Sequence, residues 1–519
     1  TSVVLQTGIL ELCVKKHLDL APGAEERVAL KYTREGERNR ISCEFTGEEE
    51  VYADMRDFWK TAASVTFSSD LLNRFFDAVR FQLPAVISSG AKVDASIWQY
   101  NREWVRDHAM MAMGLVVSGH QALARKVLER LLQDFVSDEG DCIDSSEKRD
   151  YSEVELDQNG ELLYALLQYV AWTGDKSIVS DHWKKIAALA EFPLKNVFRH
   201  EPSGLMANSR EYWERHRAHG VQPGIELAYQ VFVSLGLSSA ASLARLIFHE
   251  KEAVRWENEA LRIKQTLLTN QQYGLVENCR FIKRRSIDGS IQDSIQALPG
   301  AGLPEGSPLD ASGDHRLNPD TTTALPIAFG FIPPDSSLAA NTMQDLEVLW
   351  NQSWQDGGYG RYNATSEPDA FGSWPFPSLF LARAYTEMQD YDRVWKILNW
   401  LDTIPGALSG SWFEFNGDAH SPPFPQIGIT PWTWAEMLLL LVSHVIGIQP
   451  ELGRVRLRPR LLTGVDHIQA AFPLGLGRLN LNIRRTTDVS SPQFFSNGKI
   501  IPSSQSEVLI EHSQSDLSI

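Results

Sequence analysis

Cysteine is scarce and scattered. Cys13, Cys43, Cys142 and Cys279 form no CxxC pair, which argues against a disulfide framework or a zinc knuckle as the organising feature. Also missing is any unbroken run of about 18 apolar residues of the kind that crosses a bilayer. The nearest, around Met437–Val445, is interrupted by Ser443 and His444. No glycine-rich phosphate loop with a following lysine is present, so no organic cofactor is implied. Positive charge is in deficit, with 49 Lys and Arg against 66 Asp and Glu and a net charge of −17. Such a surface repels phosphate backbones, so neither nucleic acid nor a membrane is an expected partner. No signal segment is visible, which favours the cytoplasm, although a chain that begins at Thr1 need not begin where its gene does.

What is present is length and tryptophan. A chain of 519 residues is too long for one ordinary core and predicts two or three domains. There are 15 Trp beside 23 Phe and 13 Tyr. Many, including Trp98, Trp104, Trp213, Trp374, Trp412, Trp432 and Trp434, sit beside polar residues in Gly- and Pro-containing stretches. Aromatic faces of this kind can stack on the C–H faces of sugar rings, and several must also serve the core.

Residues 1–57 read as the end of an N-terminal β-domain, possibly cut short upstream. Val3–Leu5, Ile9–Val14 and Val28–Tyr32 are strand-like, with a turn at Ala21-Pro22-Gly23-Ala24. Residues 58–447 read as helical. The first clear helix carries Leu72, Phe75, Phe76, Val79 and Leu83 on one stripe and ends near Pro84. Eleven more segments follow at about 104–118, 120–137, 157–173, 177–198, 223–235, 237–270, 319–330, 338–351, 372–388, 390–403 and 430–446. Short turns such as Ser118-Gly119-His120 alternate with long junctions at 138–156, 199–222, 271–318, 352–371 and 404–429. Twelve helices joined in this way predict a closed double ring with a site built by the long loops at one end. Residues 448–519 return to a strand pattern and end in a polar tail; β-rich ends leave self-association open.

Three of the loop regions place carboxylates among aromatics and arginines. The first runs Trp98-Gln99-Tyr100-Asn101-Arg102-Glu103-Trp104-Val105-Arg106-Asp107. The second is Ser209-Arg210-Glu211-Tyr212-Trp213-Glu214-Arg215-His216, where Glu211 and Glu214 share a face if locally helical. His216 and His219 lack a third ligand at a metal spacing, so no metal site is expected. The third is Trp412-Phe413-Glu414-Phe415, followed by Thr430-Pro431-Trp432-Thr433-Trp434-Ala435-Glu436, with Glu436 the rival carboxylate. An acid among such rings is desolvated if buried, which raises its pKa unless a positive charge or hydrogen bonds hold it ionised.

These segments resemble glycoside hydrolase family 15, the glucoamylase and glucodextranase family. The resemblance covers about 95–446. Trp104-x-Arg106-Asp107 is similar to a sugar-binding motif entering a barrel helix, and Tyr212-Trp213-Glu214 to the loop that supplies the general acid. Trp412-Phe413-Glu414 with Pro431-Trp432-Thr433-Trp434 is similar to the general-base loop and its downstream helix. Gly357-Gly358-Tyr359-Gly360-Arg361-Tyr362 with Gly372-x-Trp374-Pro375 is similar to a subsite-lining stretch. The resemblance implies an (α/α)6 toroid barrel and an exo-acting hydrolase of a glucoside or short oligosaccharide, α-linked favoured. Glu214 would be the acid and Glu414 the base of an inverting reaction, in which two carboxyls flank the scissile bond. Tyr100, Trp104, Arg106, Asp107, Tyr212, Trp213, Arg361, Trp374 and Trp412 would bind the sugar. A phosphorylase on the same barrel and a non-catalytic carbohydrate-binding protein remain alternatives.

Overall fold

The computed structural model describes residues 2–7, 10–15, 17, 19–24, 29–35, 40–46, 56, 58–97, 100–143, 148–295, 315–351, 357–362, 373–416, 428–486, 492–496, 498–503, 507–511 and 517–519. The chain divides into two compact units, Thr1–Ala62 and Ala63–Ile519. In the first, β1 (Ser2–Thr7) and β2 (Leu10–Lys15) form one antiparallel hairpin, and β3 (Ala29–Glu35) and β4 (Arg40–Thr46) another. The expected turn is there: the Ala24 amide donates to the Ala21 carbonyl at 3.0 Å, with Gly23 at φ +83°. Ile9, Val28 and the side chains of Cys13 and Cys43 lie outside the described residues.

The second unit opens on β5 (Ser64–Phe67), a strand that the sequence reading had merged with the helical region. Helices then alternate between two patterns. One set is amphipathic: α1 (Asp70–Ala85), α3 (Gln121–Arg130), α5 (Trp183–Glu191), α7 (Glu250–Thr269), α9 (Ser337–Leu346) and α11 (Tyr391–Thr403). On α7 the buried residues are Ala253, Trp256, Ala260, Ile263 and Leu267, a spacing of three and four that makes a single stripe. The other set is apolar nearly all round: α2 (Val105–Val117), α4 (Asp157–Thr173), α6 (Leu227–Leu246), α8 (Leu325–Ala328), α10 (Pro375–Glu387) and α12 (Pro431–Leu439). Every residue of α2 and α12 is buried. A helix with no polar face must be enclosed on all sides.

Contacts between the helices close the architecture. Each of α2, α4, α6, α8, α10 and α12 packs on the next, with α8 joined by the single 3-10 turn before it, and α12 returns to α2. The amphipathic helices pack outside this inner ring. The long connections lead into the N-termini of inner helices, and shorter turns lead out to the outer ones. All the backbone amides at one end of the inner ring therefore face the long loops, an end that favours negative charge.

Two features depart from expectation. The break that the sequence reading put at Gly236 falls instead at Ile247–His249, where Phe248 adopts φ +66°. Gly236 lies inside α6 because it lets that helix meet α4. A Cβ on Gly236 would sit 2.4 Å from the Gly160 Cα, and one on Gly160 would sit 1.9 Å from the Phe232 carbonyl oxygen. Since backbone cannot rotate away as a side chain can, Gly160→Ala is expected to lower the unfolding free energy by about 1–3 kcal/mol, read by urea denaturation. The second departure concerns apolarity. Among the described residues, helix α6 and not the segment near Met437 is long and apolar enough to cross a membrane, and 83% of its apolar window is buried inside the protein. It is a core helix.

Among the long loops, β6 (Gly224–Glu226) pairs antiparallel with β7 (Arg284–Ser286). After α12, β8 (Ile448–Glu451) and β9 (Arg454–Leu457) form a hairpin. Then β10 (His467–Leu474) pairs with β11 (Gly477–Arg484) on one edge and with β5 on the other, Phe67 opposite Ile468. The strand-like C-terminal residues thus share a sheet with the segment that precedes α1.

Candidate active site

The loop between α5 and α6 turns tightly around Glu214. The Glu211 amide donates to the Arg215 carbonyl at 3.0 Å, and the Glu214 amide donates to the Glu211 carbonyl at 3.0 Å. Glu214 itself stands at φ +69°, a conformation rare for a residue with a side chain. Such strain, on the order of 1–3 kcal/mol, persists only where the surroundings impose it. Here the surroundings are a buried ionic cluster. The Glu211 carboxylate accepts from the Arg215 amide at 2.9 Å and lies 2.6 Å from the Lys283 ammonium. Lys283 also reaches Asp320 at 2.8 Å and Glu226 at 3.4 Å, all with fully buried side chains. Asp320 in turn accepts from the Trp213 indole at 3.0 Å. Against the desolvation of full burial, Lys283 and Arg215 hold Glu211 far below the ordinary carboxylate range. Glu211 is a structural anion, and Glu214 is the carboxyl of this loop that lines the cavity.

At the start of α2, Arg106 organises the other side of Glu214. One terminal nitrogen donates to Glu214 at 2.9 Å; the other donates to Asp157 at 3.1 Å and to the Tyr212 carbonyl at 3.0 Å. Arg210 donates to Glu155 at 2.6 Å. Desolvation, reinforced by Glu155, raises the Glu214 pKa against the pull of Arg106, Arg210 and Arg361. Asp107 is raised well above its usual range by desolvation; Arg106 opposes, and Glu214, Glu155 and Glu414 add to the rise. That Asp107 feels both glutamates places all three acids around one space.

Across that space, Glu414 is carried by a loop pinned through isolated bridges, Phe413 to Ile429 and Ser373 to Asn416. The Glu414 amide donates to the Gly428 carbonyl at 3.2 Å. Beside it, Trp374 stacks on Phe415 with centroids 5.0 Å apart, and the Arg361 guanidinium lies 3.9 Å from the Trp374 ring centroid. The result is a cavity of about 330 Å³ lined by Tyr100, Trp104, Arg106, Asp107, Tyr212, Trp213, Glu214, Arg361, Trp374 and Glu414, ten of the eleven residues that the sequence had singled out.

Trp412 is the exception. Its ring is fully buried against Phe75 and its indole donates to the Leu401 carbonyl at 3.2 Å, so it belongs to the core. Glu436, the rival base, is also buried, in a two-bond ion pair with Arg383 at 2.8 and 2.9 Å. Trp98 and Gly372 lie outside the described residues. The cavity also takes in Arg149, Arg210, Arg215, His216, His219, Phe376, Phe415 and Trp432, none of them assigned a site role from sequence. Several stand beside an assigned residue, which was the available signal. For Glu155, Asp157 and Lys283 no such signal existed.

A closed double ring of six inner and six outer helices, with carboxyls and aromatics gathered at the N-termini of the inner ring, is the architecture of the (α/α)6-barrel glycosidases. No protein-family model matches the chain. It is similar to two curated proteins of Sulfolobus acidocaldarius: Trehalase 2, 22% identical over 331 residues and 58% of this chain, and Trehalase 1, 20% identical over 430 residues and 76%. The chain spans 49% and 64% of the length of these relatives. Among solved structures, a bacterial glucoamylase complexed with acarbose superposes with a TM-score of 0.55 at 15% identity, covering 78% of this chain and 62% of that one. The fold of this chain is the glucoamylase-like helical barrel.

Proposed function

We propose that the chain is an exo-acting glycoside hydrolase that inverts the anomeric centre, with Glu214 as general acid and Glu414 as general base. The observation that carries this reading is that Glu214 and Glu414 line one cavity together with Trp104, Trp213, Trp374 and Arg361. Glu214 has a raised pKa, as a proton donor near neutral pH requires. In the proposed reaction Glu214 gives its proton to the glycosidic oxygen. Glu414 takes a proton from a water on the opposite face of the sugar, and that water's oxygen bonds to the anomeric carbon as the glycosidic bond breaks. Asp107 supplies a hydroxyl-binding carboxyl, and Trp104, Trp213 and Trp374 form the walls. Arg106 is occupied by Glu214, Asp157 and the Tyr212 carbonyl, so its first role is to aim the acid.

The names of the two relatives put trehalose first in the substrate panel, followed by other α- and β-linked glucosyl disaccharides. With NMR following the products, trehalose is expected to release one α- and one β-glucose in equal amounts, and a 1,4-linked α-glucoside to release the β-anomer of its non-reducing-end sugar first. Initial release of the α-anomer alone from either substrate would replace inversion with a retaining mechanism, and turnover only in the presence of inorganic phosphate would make the protein a phosphorylase.

A further inference from the structure

Behind Glu214 lie two carboxyls, Glu155 and Asp157, that do not line the cavity. Glu155 and Asp157 are fully buried in their side chains, Arg210 and Arg106 nearly so, and Glu214 alone of the three carboxyls reaches the cavity, with 36% of its side chain exposed. Arg106 lies 3.1 Å from Asp157, 2.9 Å from Glu214 and 3.6 Å from Glu155. Arg210 lies 2.6 Å from Glu155 and 3.7 Å from Glu214. Arg106 and Arg210 therefore each hold a buried carboxyl and Glu214 at once, while Arg361 acts on Glu214 from the cavity. A buried carboxylate without its own compensating cation takes up a proton instead.

We propose that Glu155 and Asp157 are positioning residues whose negative charge, drawing on the same guanidiniums that hold Glu214, keeps a proton on Glu214. This rests on the hydrolase reading for its purpose, but the charge arrangement stands without it. The two ends differ in what they offer the proton. Asp157 is the first residue of α4, where the helix amides favour its ionised form. Glu214 is in a loop. Both carboxyls contact the same guanidinium. Burial lifts Asp157 to about 7, Arg106 opposing and Glu155 adding to the rise.

The groups facing this pair come from several elements. Asp157 faces Arg106 on α2, Glu155 ahead of α4, Glu161 one turn along α4, and Tyr229 on α6. Glu214 faces Glu155, Arg106, Arg210, Arg361 and Asp107. Glu161 and Asp107 are each raised well above the usual range, by desolvation first. Neither adds positive charge.

The sign follows. Asp157→Asn removes the carboxyl that competes with Glu214 for Arg106, and Glu155→Gln the one that competes for Arg210, so Glu214 ionises more readily and its pKa falls. The test is a carbon-13 NMR titration of side-chain carboxyls in glutamate-labelled protein, with the Glu214 signal assigned by its loss in Glu214→Gln. In the unmutated chain the Glu214 midpoint is expected well above the ordinary glutamate value of about 4.3. It should drop by about one pH unit or more in each variant and return toward the original in Asp157→Glu. A midpoint at or below about 4.5 in the unmutated chain overturns the proposal even if neither variant folds, and so does an unmoved midpoint in a folded variant.

Kinetics gives a second readout. The alkaline limb of kcat/KM should move down with the Glu214 midpoint. Turnover of a disaccharide at pH 7 should fall about tenfold for each unit of that shift. Turnover of a glucosyl fluoride, whose leaving group needs no protonation, should stay within about threefold. Equal losses on both substrates would mean a merely structural role and overturn the proposal. An unmutated protein that cleaves neither substrate sinks the hydrolase reading, while the NMR midpoints still decide the charge argument.

Discussion

Glu414→Gln is expected to lower kcat on the best disaccharide by about 10²–10⁴, the range that a positioned general base contributes, with KM changed less than about threefold. The substitution keeps the shape of the side chain and its place between Phe413 and Phe415, but amide cannot accept the proton of an attacking water. Because the backbone of this loop is fixed by the Glu414 amide to Gly428 and by bridges to Ile429 and Ser373, the glutamine has no reason to displace it. Loss confined to kcat is the mark of an interaction made only in the transition state. The informative comparison is Glu436→Gln. Glu436 is fully buried on Arg383, so its amide leaves a buried guanidinium without its counter-charge. It should cost stability, while the folded enzyme keeps its kcat. If Glu436→Gln removed turnover at unchanged stability and Glu414→Gln did not, the base assignment would be reversed.

The contrast between those glutamates also indicates what could be read from the chain alone. Periodicity located the helices well, because an inner-ring helix such as Asp157–Thr173 is apolar over most of its last three turns and an outer one such as Tyr391–Thr403 carries a single stripe. Glycine misled once: Gly236 resembles a breaker in sequence and is a contact point between two helices in space. In the candidate site, Glu414 stands out by the aromatic residues around it, whereas Glu214 is preferred to Glu211 chiefly through the resemblance of its Trp213-Glu214 context. The same aromatic signal failed for Trp412, because a ring in a loop can turn to the cavity or to the core, and neighbouring residues do not reveal which. Glu155, Asp157 and Lys283 were illegible for a different reason. Asp157 looks like any first-turn acid of a helix, and Lys283-Arg284-Arg285 looks like a solvated run of charge. Their meaning comes from partners distant in sequence that only the closed ring brings together.

Lys283 carries the largest expected effect on stability. Lys283→Met is expected to destabilise the folded chain by about 3–5 kcal/mol, the cost of leaving buried charge uncompensated. Three carboxylates converge on its ammonium, Glu211 at 2.6 Å, Asp320 at 2.8 Å and Glu226 at 3.4 Å, with no side chain in the group exposed. Arg284 reaches Glu226 at 3.3 Å and Arg215 reaches Glu211 at 3.2 Å, so those two retain a partial counter-charge. Asp320 keeps only neutral donors, from Trp213 and Thr322. Desolvation alone would push the lysine toward its neutral form; Asp320, Glu211 and Glu226 reverse this and hold it above the ordinary lysine range. It therefore stays charged, and methionine replaces its volume but not its field. Urea unfolding followed by tryptophan fluorescence measures the loss, and a change below about 1 kcal/mol would mean that the cluster contributes little. The same variant should also lower kcat in whatever fraction folds. The cluster holds Trp213 through Asp320 and Arg215 through Glu211, and between those two residues stands Glu214 in a conformation it would not adopt unaided.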